Sequence, residues 1–173
     1  MAMLKKFLPD GHVRNILDIK PEMLRQKGIK GLITDLDNTL VPWNEPDVTP
    51  ELIGWFDSLR QAGIAALILS NNSERRVKTF SAPAGVPYIY RAHKPLVYGF
   101  RRAMQQLHVR PDELVVAGDQ IMTDIWGGNL IGAHTILVVP VAASDGWATK
   151  INRGIERMIL SQLRRRGWLK WED

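Results

Sequence analysis

The 173-residue sequence contains no cysteine, so it can form neither a disulfide framework nor a thiolate zinc site. It also has no long hydrophobic run, because the longest apolar stretch covers residues 136–143 and is split by Pro140. A membrane-spanning helix needs about 20 apolar residues, so we expect none. The opening stretch MAMLKKFLPDG lacks the apolar run of a secretory signal. These absences predict a cytoplasmic protein.

The composition is that of a globular protein, with 45% hydrophobic and 24% charged residues. A chain of this length is typical of one domain, since domains hold roughly 150 residues. We therefore predict a single domain over residues 1–173. Its folded core is expected at about 30–140, with a basic N-terminal segment at 1–29 and a basic C-terminal helix at about 147–171.

The net charge of +5 is unevenly distributed. Residues 1–30 and residues 147–173 each carry seven Lys or Arg and three Asp or Glu, which gives +4 at each end, whereas residues 31–146 carry −3. Acidic residues collect where a metal is bound. Basic ends favour an anionic partner, either lipid or nucleic acid, although they can also serve only to keep the domain soluble.

Strand and helix patterns alternate along the middle of the chain. Continuous apolar runs, typical of strands covered on both faces, occur at 30–35, 64–69, 87–90, 114–117 and 135–139. Helical patterns lie at about 50–61, 73–81 and 119–129 and from Lys94 onward, where Leu96, Phe100, Met104 and Leu107 share one stripe. The alternation predicts an α/β fold of three α/β/α layers around a mostly parallel, five-stranded sheet. Ligands bind at the carboxyl ends of such strands.

Polar residues follow four of these segments. The groups are Asp35-Leu36-Asp37-Asn38-Thr39, Ser70-Asn71-Asn72, Lys94, and Gly118-Asp119 with Asp124. Each group alone is consistent with ordinary turn or cap chemistry. Because the carboxyl ends of parallel strands meet at one edge of a sheet, the four groups together predict a single site.

This set resembles the haloacid dehalogenase (HAD) superfamily of phosphohydrolases. The family's four motifs are matched by Asp35, Asp37 and Thr39, by Ser70, by Lys94, and by Gly118, Asp119 and Asp124. The stretches GDQIMTDIWGGNLIGAHTILVVP, DLDNTLVPW and HKP resemble more narrowly the class IIIA branch of YqeG type, which is similar to mitochondrial phosphatidylglycerophosphate phosphatases. The resemblance implies a HAD-like Rossmannoid fold and phosphatase activity.

Two aspartates at this spacing suit the hydrolysis of a phosphate monoester. Asp35 can attack phosphorus and form an aspartyl-phosphate, which divides one difficult step into two. Asp37 lies two residues later, so an extended backbone points both side chains the same way. There Asp37 can protonate the leaving oxygen and then deprotonate the attacking water. This division of roles requires different environments that separate the two pKa values.

The resemblance also implies a metal and a phosphate-binding set. Mg²⁺ would be held by Asp35, Asp119 and the backbone carbonyl of Asp37, and oxygen ligands of this kind suit that ion. Asp124 would support the metal through water or orient Lys94.

The phosphoryl oxygens would be bound by Ser70, by the backbone N–H of Asn71 and by Lys94, which neutralises the phosphoaspartate. A non-enzymatic aspartyl-phosphate switch uses a similar set. Asp37 argues against that alternative, because it would speed hydrolysis of the phosphate that a switch must keep.

The spacing of the motifs leaves no room for a cap domain. Only 32 residues separate Asp37 from Ser70 and only 23 separate Ser70 from Lys94, and predicted helices and strands occupy much of both gaps. We therefore expect an open site. Such a site suits a lipid headgroup, a nucleic-acid end or a phosphoprotein better than a small sugar phosphate, unless a neighbouring subunit forms a lid.

The C-terminal segment has the pattern of a basic amphipathic helix. Its apolar positions are Ile151, Ile155, Met158, Ile159 and Leu163, its basic positions include Lys150, Arg153, Arg157, Arg164, Arg165, Arg166 and Lys170, and it is bracketed by Trp147, Trp168 and Trp171. This pattern is typical of a helix at a membrane interface. The stretch 4–8, Leu-Lys-Lys-Phe-Leu, could add a second contact. Packing of the stripe on the sheet, or binding to a single-stranded nucleic acid, are the alternatives.

The open site, the basic ends and the resemblance together predict a lipid substrate. The expected reaction converts phosphatidylglycerophosphate to phosphatidylglycerol, with the protein peripheral on the inner face of the membrane. A soluble phosphate ester or a nucleic-acid end is the alternative substrate. No pattern in the sequence indicates an oligomeric state.

Overall fold

The computed structural model of the chain describes residues 2–142 and 147–169, with a six-stranded sheet at its centre. The strands are β1 (Gly11–Val13), β2 (Gly31–Thr34), β3 (Ala65–Leu69), β4 (Tyr88–Ile89), β5 (Leu114–Gly118) and β6 (His134–Val138). Their order is β1-β6-β5-β2-β3-β4, and all five pairings are parallel. The carboxyl ends of all the strands therefore lie at one edge of the sheet.

Helices cover both faces of the sheet. They are α1 (Ala2–Lys5), α2 (Pro21–Gln26), α3 (Pro50–Gln61), α4 (Glu74–Ala84), α5 (Val97–Leu107), α6 (Trp126–Ile131) and α7 (Trp147–Arg165), and a π-helical turn (Ile121–Ile125) precedes α6. Buried side chains of α2, α3 and α4 pack on the face that includes Leu32 and Val115. Helix α5 packs on the opposite face, against Ile33 and Val116. The predicted three-layer α/β/α architecture is confirmed.

Local sequence explains where the longer helices begin. Thr49 caps α3, because its Oγ1 accepts a hydrogen bond from the N–H of Leu52 at 3.3 Å, and Pro50 occupies the first turn. Ser73 caps α4 in the same way. Helix α5 buries Gly99, Phe100, Ala103 and Leu107. Leu96, which the sequence pattern placed on this stripe, precedes the helix and is 65% exposed.

The prediction of five strands is wrong by one. The additional strand, β1, pairs with β6 so that Gly11 lies opposite Ile136. Asp10 secures this edge, because its Oδ2 accepts a hydrogen bond from the N–H of Thr135 at 2.9 Å. The strand has only three residues, all partly exposed, and its partner lies far along the chain. No local apolar pattern therefore marked it.

The N-terminal and C-terminal segments pack against each other. They form an apolar cluster with Ile121, Ile125 and Leu137 that contains Leu4, Phe7, Leu8, Ile159, Leu163 and Trp168. Helix α7 ends at Arg165 rather than near 171, and its Ile159 and Leu163 are buried. This favours the alternative in which the stripe packs on the core, although Ile155 and Met158 remain exposed.

Part of the predicted amphipathic pattern lies outside the described residues, namely Lys170, Trp171 and the side chains of Trp147, Lys150 and Ile151. Among the helices that the structure describes, none combines the length and the apolar character needed to cross a membrane.

Glu156 joins α7 to the π-helical turn. Its side chain accepts a hydrogen bond from the N–H of Met122 at 3.3 Å, and the residue is only 8% exposed. Burial raises the pKa of Glu156 from its ordinary 4.5 to about 7. The folded state therefore holds this proton more tightly than the unfolded chain does. The resulting stabilisation is complete below about pH 4.5 and is lost as the pH rises through about 7.

We expect the Glu156→Gln variant to lose this pH dependence, because an amide still accepts the hydrogen bond but does not ionise. Between pH 5 and 8 the wild-type free energy of unfolding should fall by on the order of 1–3 kcal/mol more than that of the variant. Urea unfolding followed by circular dichroism, repeated at several pH values, measures how the free energy of unfolding of each protein changes with pH. Glu45→Gln, on an exposed loop, is the control. The same pH dependence of the free energy of unfolding in wild type and Glu156→Gln would contradict this interpretation.

Candidate active site

A cavity of about 370 Å³ opens at the carboxyl edge of the central strands. Five of its lining residues belong to the set predicted from the sequence: Asp35, Asp37, Ser70, Asn71 and Lys94. Trp43, Asn72, Gln120 and Thr123 also line it and had no predicted role. The loops after β2 and β3, the turn before α5 and the loop after β5 converge here, as the parallel topology requires.

Lys94 lies at the bottom of this cavity between two carboxylates. Its Nζ is 2.8 Å from Oδ1 of Asp35 and 2.6 Å from Oδ1 of Asp124. Burial alone would lower the pKa of Lys94, but the charges of Asp124 and Asp35 raise it above its ordinary value. The ammonium group is therefore a permanent positive charge next to Asp35.

Asn71 holds the backbone of Lys94 through its side chain. Its Oδ1 accepts a hydrogen bond from the N–H of Lys94 at 2.7 Å, and its Nδ2 donates to the carbonyl of Lys94 at 3.2 Å. The sequence suggested only the backbone N–H of Asn71 as a functional group. The paired amide contacts show that its side chain also fixes the position of the lysine.

Three buried aspartates form an acidic cluster. One carboxylate oxygen each from Asp35, Asp119 and Asp124 lie within 4.8 Å of one another. Burial raises the pKa of Asp119, and the neighbouring charges of Asp35 and Asp124 add to this effect. Burial also raises the pKa of Asp124 to about 6, although Lys94 opposes the shift. Three carboxylates this close together repel one another when they are ionised, and one lysine offsets only part of their negative charge. A hard divalent cation such as Mg²⁺ bound here would offset the rest.

Thr39 and Gly118 hold this cluster together. The Oγ1 of Thr39 accepts a hydrogen bond from the N–H of Asp119 and donates to Oδ1 of Asp119, both at 3.0 Å. A Cβ atom at position 118 would overlap the carboxylate of Asp124. Only glycine therefore fits at 118, which gives a steric reason for the Gly-Asp pair that the sequence singled out.

Asp37 lines the same cavity as Asp35 but has different partners. It accepts hydrogen bonds from Nδ2 of Asn72 at 2.9 Å and from Nε of Arg76 at 3.0 Å. Burial raises the pKa of Asp37; the Asn72 hydrogen bond lowers it, and the charge of Asp35 raises it further. The two aspartates thus have the separate environments that a division of roles requires.

Ser70 is buried at the end of β3, where its Oγ accepts a hydrogen bond from the N–H of Asn72 at 3.1 Å. As the acceptor in this contact, the hydroxyl keeps its own hydrogen for a second partner. The lining of the cavity by Ser70 and Lys94 therefore offers an O–H and an ammonium group to a bound anion.

Arg76 is the main site residue that sequence reasoning missed. Besides Asp37, it contacts the carbonyl oxygens of Pro42 and Pro46 at 3.4 and 3.3 Å, so it also fixes the loop after the first motif. A cation on a helix is usually solvated, so the residue type alone does not mark Arg76. Its position three residues after the Ser73 cap, on the helix that follows Ser70, is the only signal that could have indicated it.

The fold is the predicted HAD-like fold, and the family model and the sequence relatives show that the chain is a phosphatase. The structure is similar to that of the cobalt-bound deoxy-D-mannose-octulosonate 8-phosphate phosphatase of Haemophilus influenzae, with a TM-score of 0.54, 16% identity, and coverage of 78% of this chain and 89% of that one. More narrowly, the chain belongs to the mitochondrial PGP phosphatase family, whose model matches residues 1–141.

Two sequence relatives agree with this membership. The probable phosphatase YqeG of Bacillus subtilis is 55% identical over 172 residues, covering 99% of this chain and all of that protein. Phosphatidylglycerophosphate phosphatase 1 of Arabidopsis thaliana, a chloroplastic and mitochondrial protein, is 28% identical over 94% of this chain. The alignment covers 48% of that longer protein. The family resemblance read from the motifs is confirmed.

Proposed function

We propose that the protein is a Mg²⁺-dependent phosphomonoesterase that converts phosphatidylglycerophosphate to phosphatidylglycerol through an aspartyl-phosphate. The name of the Arabidopsis relative supports the choice of lipid. The observation that carries the proposal is the set of exposed apolar side chains at the carboxyl edge of the sheet, the edge at which the cavity opens. It distinguishes an enzyme that works at a lipid surface from one that takes a small ester from solution.

In the first step, an oxygen of Asp35 forms a bond to phosphorus and the ester P–O bond breaks. The proton of the Asp37 carboxyl group passes to the leaving alkoxide. In the second step, the Asp37 carboxylate takes a proton from water, whose oxygen attacks phosphorus and releases phosphate and free Asp35. The raised pKa of Asp37 is consistent with a group that begins the cycle protonated.

Other side chains in the cavity stabilise the charge that develops on the phosphoryl oxygens. Lys94 supplies a positive charge, and Ser70 and the N–H of Asn71 donate hydrogen bonds. Mg²⁺ held by Asp35, Asp119, Asp124 and the carbonyl of Asp37 supplies further positive charge when bound. Arg76 positions Asp37 through their hydrogen bond.

One exposed apolar side chain, that of Trp43, lines the cavity, and others lie on the same side of the sheet. They lie at the carboxyl edge of the sheet, on loops or in the first turn of α5, and are Trp43, Tyr90, Leu96, Tyr98, Val139 and Val141. Between residues 38 and 93, all of which are described, the chain forms only loops, α3, β3, α4 and β4, so no cap domain is inserted between the first motif and Lys94. Trp and Tyr favour the membrane–water interface, and exposed apolar patches mark interaction surfaces. This edge of the sheet is therefore suited to a lipid surface.

The predicted membrane contact through the basic ends involves in part a different surface. Helix α1 precedes β1, so it lies toward the amino edge of the sheet, and Lys5 Nζ is 5.6 Å from the ring centroid of Trp168. This part of the basic ends lies away from the active-site cavity, whereas Arg14, Arg153 and Arg157 lie at the carboxyl edge, near Asp119. Contact of these ends with lipid, or with nucleic acid, remains a separate prediction.

We expect the protein to bind vesicles of phosphatidylglycerol and to release phosphate from phosphatidylglycerophosphate embedded in them. Chelation of divalent cations by EDTA should stop the release. The double variant Leu96→Ser/Tyr98→Ser should bind these vesicles at least about tenfold more weakly, because an apolar side chain of this size contributes about 1.5–3 kcal/mol when buried. Vesicle co-sedimentation and phosphate release measure the two effects.

The control for this experiment is Leu130→Ser, which removes an exposed apolar side chain from α6, outside both of the predicted membrane-contact segments. It should leave vesicle binding unchanged. If the wild-type protein ignores vesicles and hydrolyses only soluble esters, the lipid proposal is wrong and a soluble phosphate ester is the substrate.

A further inference from the structure

A second cavity, of about 540 Å³, lies between the ends of β1 and β6 and helix α7. One part of its lining is apolar and includes Ile121, Leu137 and Leu160. Another part carries the side chains of Arg14, Arg153 and Arg157. We call this cavity the arginine groove. It combines an apolar wall with a cluster of positive charge, as a site for an anionic amphiphile would.

The positive charge of the groove comes from two separate parts of the chain. Arg14 follows β1, whereas Arg153 and Arg157 lie one turn apart on α7. Arg157 Nε donates to the carbonyl of Arg153 at 3.4 Å. Among the described residues that line the groove, the carboxylates are Asp119 and Glu156, and Glu156 accepts a hydrogen bond from Met122 N–H. The arginines therefore outnumber the acids.

The arginine groove adjoins the active-site cavity. Asp119, which lines the groove, belongs to the acidic cluster whose carboxylate oxygens lie within 4.8 Å of one another. The two cavities are also joined through the backbone, since the N–H of Val141 donates to the carbonyl of Asn38 at 2.8 Å. Asn38 lines the active-site cavity, and Val139 and Pro140 line the groove. The two cavities are therefore neighbours that share this stretch of backbone.

We propose that the arginine groove binds the phosphodiester and glycerol backbone of a glycerophospholipid substrate. This inference rests on the proposed function. In phosphatidylglycerophosphate, one glycerol unit joins the monoester that is hydrolysed to a phosphodiester that is kept. With the monoester beside Asp35, the phosphodiester reaches Arg14, Arg153 and Arg157, and the first methylene groups of the acyl chains lie on Leu137 and Leu160.

The groove would then select lipids over small monoesters, because a charge-assisted hydrogen bond forms only with a substrate that carries the second phosphate. Arginine suits this task, since its planar guanidinium group matches phosphate oxygens in pairs. The reaction itself needs only the monoester. The selection therefore concerns affinity for the substrate and for the product phosphatidylglycerol, which keeps the phosphodiester.

The test uses the full chain and three soluble probes: dihexanoyl phosphatidylglycerophosphate, dihexanoyl phosphatidylglycerol and p-nitrophenyl phosphate. The ratio of kcat/KM for the lipid to kcat/KM for p-nitrophenyl phosphate should fall at least about tenfold in Arg14→Gln/Arg157→Gln. The dissociation constant of dihexanoyl phosphatidylglycerol, measured by calorimetry, should rise by at least the same factor. If the double variant does not fold, the two single variants are measured in its place. Both arginines are exposed, so neither single substitution should disturb the core.

Arg102→Gln, an exposed arginine on α5, is the matched control and should change neither quantity. Unchanged ratios and unchanged product binding in the groove variants would overturn the groove proposal and leave the proposed function intact. Arginine-dependent binding of phosphatidylglycerol without lipid hydrolysis would keep the groove and reject the proposed substrate. Wild-type protein that neither hydrolyses nor binds these lipids would overturn both proposals.

Discussion

Replacing Asp35 with asparagine is expected to lower kcat by at least about 10⁴-fold with every phosphate ester. An amide is a poor nucleophile and a poor ligand for a hard cation. The substitution also removes one of the two carboxylates that contact Lys94, while Asp124 remains at 2.6 Å from Nζ. The lysine therefore keeps a partner, so the loss of activity should not come from unfolding.

Phosphate release and trapping of the intermediate both measure this effect. Acid-quenched wild-type protein should carry a hydroxylamine-sensitive phosphoryl group after brief exposure to substrate, and Asp35→Asn should not. Asp57→Asn, which changes a half-exposed carboxylate on α3, is the control. An Asp35→Asn variant with wild-type turnover would contradict the proposed mechanism.

The second large effect is expected at Asp37 and depends on the leaving group. Asp37→Asn keeps one oxygen, which can accept from Arg76 or from Asn72, and removes the acid and base. With an alkyl ester, whose leaving group needs a proton, the loss in kcat should be on the order of 10²–10⁴-fold. With p-nitrophenyl phosphate the loss should be smaller, because that leaving group departs as a stable anion.

Steady-state kinetics on the two ester types tests this assignment. Because the first step uses protonated Asp37, the wild-type rate with an alkyl ester should also fall as the pH rises through the pKa of that residue. This alkaline decline should be weaker with the aryl ester. Equal losses on both esters in Asp37→Asn would show that the residue does not transfer the proton to the leaving group.

The parallel arrangement made most of the site predictable from the sequence. Polar residues that follow buried strands must meet at one edge of the sheet, whichever strands neighbour one another. This is why Asp35, Ser70, Lys94 and Asp119 could be grouped without knowledge of the strand order. Their common location requires only that the strands run in the same direction. A chain in which strands alternate with helices forms such a parallel sheet.

Other parts of the site depend on contacts that have no local signal. The hydrogen bond between Arg76 and Asp37 joins residues 39 positions apart and depends on the course of the loop at 42–46. The stripe of α7 is equally suited to a membrane and to a core, and only tertiary packing shows that Ile159 and Leu163 are buried. The arginine groove likewise requires β1 and α7 to meet, and the sequence did not indicate β1.

The pairing of β1 with β6 has a consequence for synthesis of the chain. Asp10 and Thr135, which fasten this edge of the sheet, are 125 residues apart. At about 5–20 residues per second, the N-terminal segment waits about 6–25 s on the ribosome before its partner strand has been made. During that time Leu4, Phe7 and Leu8 have no core to cover them and are available to chaperones. This segment is thus translated before the strands of the sheet and takes its folded position only after the last of them, β6, has been made.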